Sequence, residues 1–266
     1  MKSTLAIPTV GLGVYRAEPG ECYAAVLSAL KLGYRSVDTA AFYQNEADVG
    51  RAIRDSGIPR EQIWVTTKLW IDDIKGPGST TTAFLKSHAL LNIGYIDLYL
   101  IHAPADGGRR LEAWSEMEEV QRQGLTRFIG VSNYGVKHLQ ELLAVATVVP
   151  FANQIELHPF LQHRDLVAFC KKNGIIVQAY SPLTKARKLS HPVVIAVAQR
   201  VNKTAAQVLI KWGVQKGYVS LPKSVHETRL KENLDVFEWT LSEDDLAQLD
   251  ALEEYLVTGW DPTIWD

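Results

Sequence analysis

"YRSVDTAAFYQNEADVGRAIRDSGIPREQIWVTTKL", residues 34–69, decides the fold. It opens on a β-rich run, "YRSVDT" (34–39), and passes into a helical pattern, "EADVGRAIRDSG" (46–57). It then returns to a β-rich run, "IWVTTKL" (63–69). In the middle piece apolar residues recur at three- and four-residue spacing, and Gly57 stands where a helix closes in the left-handed conformation. A strand, a helix and a second strand within such a span read as a parallel crossover unit.

Outward from this unit the alternation continues to both ends. The other β-rich runs are "TVGLGV" (9–14), "YIDLYLIH" (95–102), "RFIGVSN" (127–133), "NQIEL" (153–157), "IIVQAY" (175–180) and "GYVSLP" (217–222). Helical spacing fills 23–33, 82–94, 111–124, 136–146, 164–174 and 205–217, and most of these end at glycine (33, 94, 124, 174, 217). A last helical stretch covers 242–255 and runs into a Gly/Pro-broken tail. Eight strands with crossover helices close a parallel (β/α)8 barrel, read here as one domain over 1–266. The rival, an open doubly wound sheet, wants a Gly-rich phosphate turn after its first strand, and "GLGVYR" (11–16) lacks the third glycine. A small hairpin within "LAIPTVGLG" (5–13) is the alternative for the first run.

The 266 residues are 47% hydrophobic and 22% charged, with a formal charge of -2, which disfavours nucleic acid and anionic membrane surfaces as partners. Two cysteines, Cys22 and Cys170, make no disulfide framework. With no signal-peptide core and no spanning apolar run, a soluble cytoplasmic protein is expected.

Barrel enzymes place their chemistry at the carboxyl ends of the strands. Those ends carry Asp38, Lys68, His102, Ser132, Asn133, Gln154, Glu156, Tyr180, Ser181, Lys223 and Ser224. Each has an ordinary structural explanation; their coincidence on successive strands points to one site. The seven histidines include no H-x-H and no pair one helical turn apart, so a metal hydrolase is disfavoured. "GVSNYG" (130–135) does not have the spacing of a G-x-S-x-G nucleophile turn.

Seven segments together resemble one family, the aldo-keto reductases. They are "GYRSVDTAAFYQNEADVG" (33–50), "VTTKLW" (65–70), "YIDLYLIHAP" (95–104), "GVSNY" (130–134), "NQIELHP" (153–159), "AYSPL" (179–183) and "LPKSVHETRLKEN" (221–233). The resemblance implies a (β/α)8 barrel that binds an extended NADPH and reduces carbonyl compounds. It implies a catalytic four: Asp38, Tyr43, Lys68 and His102. These residue types suit that chemistry. Hydride comes from the cofactor, and a proton must come from the protein. A phenol of ordinary pKa, about 10, is a weak donor, and the Lys68 ammonium is expected to lower it while Asp38 orients that ammonium. His102 is expected to orient the carbonyl.

By the same resemblance Ser132, Asn133 and Gln154 meet the nicotinamide amide and Tyr180 stacks on its ring. Ser181 and Leu183 meet the pyrophosphate, and Gly13, Val14, Tyr15 and Asp38 also lie on the cofactor side. Lys223, Ser224 and Arg229 clamp a 2'-phosphate, with Glu232 and Asn233 near the adenine; this set favours NADPH over NADH. The substrate pocket is assigned to Tyr15, Phe42, Trp70, Ala103 and Trp260, with Trp265 of the tail as a further wall residue, and small Ala103 is expected to widen it. A monomer is expected. The alternatives are a cofactor-binding regulatory subunit with negligible turnover, and a barrel isomerase or lyase using Lys68 as a Schiff-base amine.

Overall fold

The inward-facing residues of each strand explain the architecture. In a computed structural model describing residues 6–266, eight parallel strands pair in chain order around a nearly closed barrel. They are β1 (Leu12–Gly13), β2 (Ser36–Asp38), β3 (Trp64–Leu69), β4 (Ile96–Ile101), β5 (Thr126–Ser132), β6 (Ala152–Glu156), β7 (Ile176–Tyr180) and β8 (Val219–Leu221). Val10 bridges Ser220 and Gly13 bridges Lys223, which brings the first strand against the last. The expected run at 9–14 therefore pairs with β8, and the portion of 5–13 within the described residues forms no hairpin.

Side chains alternate sides along a strand. Val37, Val65, Leu69, Tyr99, Ile101, Val131, Ile155 and Val177 belong to the large core between barrel and helices. Trp64, Leu98, Leu100 and Ala152 form a second, smaller core inside the barrel, with Phe128 and Ile176 against it. The in-register neighbours at two-residue spacing run from apolar to polar toward the carboxyl end: Trp64–Thr66–Lys68, Ala152–Gln154–Glu156, Ile176–Gln178–Tyr180. Grease therefore fills the bottom of the barrel and chemistry its top. At the bottom, Asp97 is fully buried between Arg60 Nη2 at 2.6 Å and Arg127 Nη1 at 2.7 Å, so its charge is compensated.

The helices are α1 (Glu21–Lys31), α2 (Glu46–Asp55), α3 (Ser79–Leu91), α4 (Gly107–Arg122) and α5 (Val136–Val145), then α6 (Arg164–Lys172), α7 (Pro192–Arg200), α8 (Ala205–Gln215), α9 (Glu227–Leu234) and α10 (Glu243–Asp250). α9 begins where a helix near His226 is expected, and two others depart from expectation. The periodicity assigned no helix to α7, although Pro192 sits in its first turn and Val194, Val197 and Ala198 make a buried stripe. The helix expected over 242–255 ends at Asp250. There the Trp212 Nε1 and Lys216 Nζ groups donate to the Asp250 carboxylate at 2.7 and 2.6 Å. Just beyond, the backbone N–H of Leu256 is taken by the Phe160 carbonyl at 2.9 Å, a tertiary bond that replaces the next helical turn.

α2 and α3 cross at Gly50, where a Cβ would stand 1.9 Å from the Leu91 carbonyl oxygen. Gly50→Ala gains up to about 1 kcal/mol of helix propensity. Forcing the helices apart costs about 3 kcal/mol. A net fall in the urea midpoint of unfolding is expected, and an unchanged midpoint would refute this reading of the crossing. No helix among the described residues is long and apolar enough to cross a membrane.

Candidate active site

Because Asp38, Lys68 and His102 occupy inward positions at neighbouring strand ends, they arrive at one place. Lys68 is fully buried, and its ammonium meets three acceptors: Asp38 Oδ1 at 2.5 Å, the Thr39 carbonyl at 2.9 Å and the Tyr43 hydroxyl at 3.3 Å. A lysine has three N–H donors, and all are used. Tyr43, in the short turn Ala41–Tyr43 after β2, accepts from Lys68, which leaves the phenol's own O–H free to donate elsewhere. The other Asp38 oxygen accepts from Gln154 Nε2 at 2.7 Å, so the carboxylate is held at both ends.

One expectation fails. Burial holds the Tyr43 phenol well above its ordinary pKa, and the Asp38 charge pushes the same way. The ammonium beside it is itself weakened, since burial lowers the Lys68 pKa more than Asp38 restores it. The phenol thus stays protonated at neutral pH. Burial, joined by the Lys68 charge, likewise drives His102 well below its usual pKa and keeps the imidazole neutral. Its ring lies edge-on to Tyr43 at 5.5 Å and to Trp70 at 5.2 Å. Nδ1 is buried without a partner among the described residues, which favours the proton on Nε2.

A cavity of about 880 Å³ opens over these groups. Gly13, Tyr15, Asp38, Phe42, Tyr43, Trp70, His102, Ser132, Asn133, Gln154, Tyr180, Ser181, Leu183 and Trp260 line it, as do Lys223, Ser224, Arg229, Glu232 and Asn233. Lys68 lies just beneath, behind Tyr43. Three expected residues, Val14, Ala103 and Trp265, do not line it. Val14 follows Gly13 in a strand, so its side chain takes the opposite side and is buried in the outer core, 1% exposed. Ala103 follows the inward His102 and is wholly buried, so its small size does not widen the pocket.

The polar lining is tightly pre-arranged. Asn133, with a left-handed φ of 61°, donates from Nδ2 to the His102 carbonyl at 2.9 Å and to Ser132 Oγ at 3.1 Å. Its Oδ1 accepts the Tyr180 hydroxyl at 2.9 Å, which fixes that ring at the rim. Gln154 spends its amide N–H groups on Asp38 and on Gln178 Oε1 at 2.8 Å. The trio is therefore largely satisfied within the protein, more than its residue types disclosed. At the far end, Lys223 and Arg229 line the cavity. Two cations there fit a phosphate dianion, with the Glu232 carboxylate also in the lining. Phe42 stacks on Trp70 at 4.1 Å, Trp260 lies 6.0 Å from Trp70, and Trp265 packs on Trp260 at 5.3 Å from outside the wall. Arg16 and Lys185 also line the cavity, and neither was expected from the sequence. Both sit in loops, where no periodicity assigns a side to a side chain.

The structure is thus a (β/α)8 barrel with a buried lysine beside a phenol at the floor of its cavity. The model of the Aldo/keto reductase family matches residues 9–254. The chain is 42% identical over 257 residues to a glyoxal reductase of Bacillus subtilis, with 96% of this chain and 92% of that one covered. It is 41% identical over 279 residues to a glycerol 2-dehydrogenase (NADP(+)) of Saccharomyces cerevisiae, covering 93% and 88%. The crystal structure of an aldo-keto reductase from a Medee basin deep-sea metagenome library superposes with a TM-score of 0.95 at 39% identity, over 100% of this chain and 98% of that one. The chain belongs to the aldo/keto reductase family, whose members carry out carbonyl reduction.

Proposed function

We propose that the protein reduces aldehydes and ketones to alcohols using NADPH, with Tyr43 as the proton donor, acting as a cytoplasmic monomer. The observation that carries this is the direction of one hydrogen bond: Lys68 donates to the Tyr43 oxygen, so the phenol's hydrogen is left to point at a substrate. NADPH, when bound, supplies the hydride. Tyr43 supplies the proton, and its raised pKa does not prevent this. As charge builds on the carbonyl oxygen it takes on the character of an alkoxide, a much stronger base than an ordinary phenolate. The growing basicity of that oxygen draws the proton from the phenol. The adjacent ammonium steadies the phenolate left behind, and neutral His102 donates to the same oxygen and fixes its approach.

Ser132, Asn133, Gln154 and Tyr180 would hold the nicotinamide end, Ser181 and Leu183 the pyrophosphate, and Gly13 and Tyr15 the strand-side edge. Lys223, Ser224 and Arg229 would hold the 2'-phosphate, with Glu232 and Asn233 around the adenine; the Ser224 hydroxyl is shared with its own turn, accepting from His226 N at 3.1 Å. The Phe42, Trp70 and Trp260 wall suits small carbonyl compounds with an apolar or ring-bearing face. The activities for which the two relatives are named support a small carbonyl substrate and NADP.

The test is titration with NADPH and NADH, followed by loss of NADPH absorbance with an activated aryl aldehyde. NADPH should bind at least about tenfold tighter, a difference of about 1.4 kcal/mol. Arg229→Ala should erase most of that preference, since a charge-assisted bond is worth about 1.5–3 kcal/mol. Equal affinities would refute the phosphate clamp. Tight binding without turnover would replace the enzyme reading with a regulatory subunit.

A further inference from the structure

The loop after β7 and the C-terminal tail meet at two contacts, an ion pair of Lys188 with Glu254 at 2.6 Å and, nearer the cavity, a hydrogen bond of Lys185 with Thr258. Thr258 is buried, and it is pinned from two directions. Its backbone N–H donates to Glu156 at 3.0 Å and its hydroxyl donates to the same carboxylate. Its carbonyl accepts from Lys185 Nζ at 3.0 Å. The next residue, Gly259, lies so close that a Cβ there would stand 3.1 Å from that ammonium. Trp260 then follows, against Trp70. Lys185 itself sits in an unusual turn. Thr184, Lys185 and Ala186 have φ of 52°, 49° and 66°, three consecutive left-handed residues with no glycine among them. L side chains, a β-branched one above all, resist that conformation, and such turns persist only where the surroundings over-determine them. Fully buried Thr184 supplies part of that hold by accepting from Lys188 N at 3.1 Å.

Ser181 and Leu183, on the same short loop, line one side of the cavity, and Gly259 and Trp260 line another. Lys185 is the link between the two segments that bears on the cavity wall, while the Lys188–Glu254 pair joins them farther back. We propose that Lys185 is a positioning and specificity-determining residue. It seats the Trp260 side of the substrate pocket and couples that wall to occupation of the loop carrying Ser181 and Leu183. The inference rests on the cofactor assignment above and gives the loop a second role. Ordering the loop around a bound dinucleotide tightens the hold on Thr258 and completes the pocket.

The experiment is hydrogen exchange of the amides of 258–266 in the intact protein, with and without NADP, for wild type, Lys185→Gln and Lys185→Arg. Without NADP, the tail of Lys185→Gln should exchange faster than that of wild type. With NADP, wild-type tail exchange should slow by about tenfold, within the usual range of coupling between sites. Lys185→Gln should lose that response, and Lys185→Arg should keep it. In turnover, Lys185→Gln should raise KM for an aryl aldehyde with little change in kcat. Equal tail exchange in wild type and Lys185→Gln without NADP would overturn the link itself. An unlinked response, in which NADP slows both tails alike, would overturn the coupling. A failure of NADP to bind at all would sink the cofactor assignment and the coupling with it, while the cofactor-free comparison would still judge the link.

Discussion

Tyr43→Phe lowers turnover of an aryl aldehyde by about 10²–10⁴-fold, the usual worth of a positioned general acid. NADPH affinity stays nearly unchanged. The substitution removes one oxygen and leaves the ring, so the contacts with Tyr15 at 4.9 Å and with His102 persist. The loss therefore belongs to the chemical step and appears in kcat. Single-turnover decay of NADPH absorbance measures it, free of product release. A Phe variant that turns over at the wild-type rate would remove the phenol from the mechanism. The prediction also separates two accounts of the donor. If the ammonium made the phenol a strong acid, a pH profile would break well below the ordinary phenol value. Burial instead holds the proton on Tyr43 throughout the neutral range, so the reduction rate should be flat there.

Lys68→Met has the second large effect, on stability and activity together. Lys68 is fully buried, and Asp38 relies on it. Removing one partner of a buried pair while the other charge remains costs about 3–5 kcal/mol. The chemical denaturation midpoint should fall accordingly, and reduction should fall with it because the Tyr43 oxygen loses its supporting donor. The double variant Asp38→Asn/Lys68→Met removes both charges and should recover much of the stability but none of the activity. Equal midpoints for Lys68→Met and the double variant would show that no unpaired charge was at issue. The same burial speaks against a Schiff-base role for this lysine. An amine with no exposed face and three acceptors around it has nowhere to meet a carbonyl.

Much of this was legible because barrel strands write their geometry in a two-residue period. Asp38, Lys68 and His102 could be read as neighbours once each was seen at the end of an apolar-to-polar strand. Tyr43 was legible only through the family pattern around it, since a tyrosine in a turn has no period to betray its direction. The helix at 192–200 was missed although its buried stripe was present, whereas the early end of α10 had no local signal: the bonds that stop it come from Trp212, Lys216 and Phe160. Lys185 was invisible for the same reason, its partner standing 73 residues away. The raised phenol pKa depends on how completely the fold excludes water, which spacing does not reveal.

The tail is also held at its far end. A Cβ on Gly135, just before α5, would stand 2.0 Å from the Thr263 carbonyl oxygen, and His138 Nε2 lies 2.8 Å from the Trp265 carbonyl. Trp260 thus belongs to a strap fastened on both sides of it, at Thr258 and at Thr263–Trp265. Such a strap bows at its middle more readily than it swings away. A bulky guest would then be admitted by local flexing, with both anchors kept, and the range of acceptable guests would depend on how much slack the short span between the anchors allows.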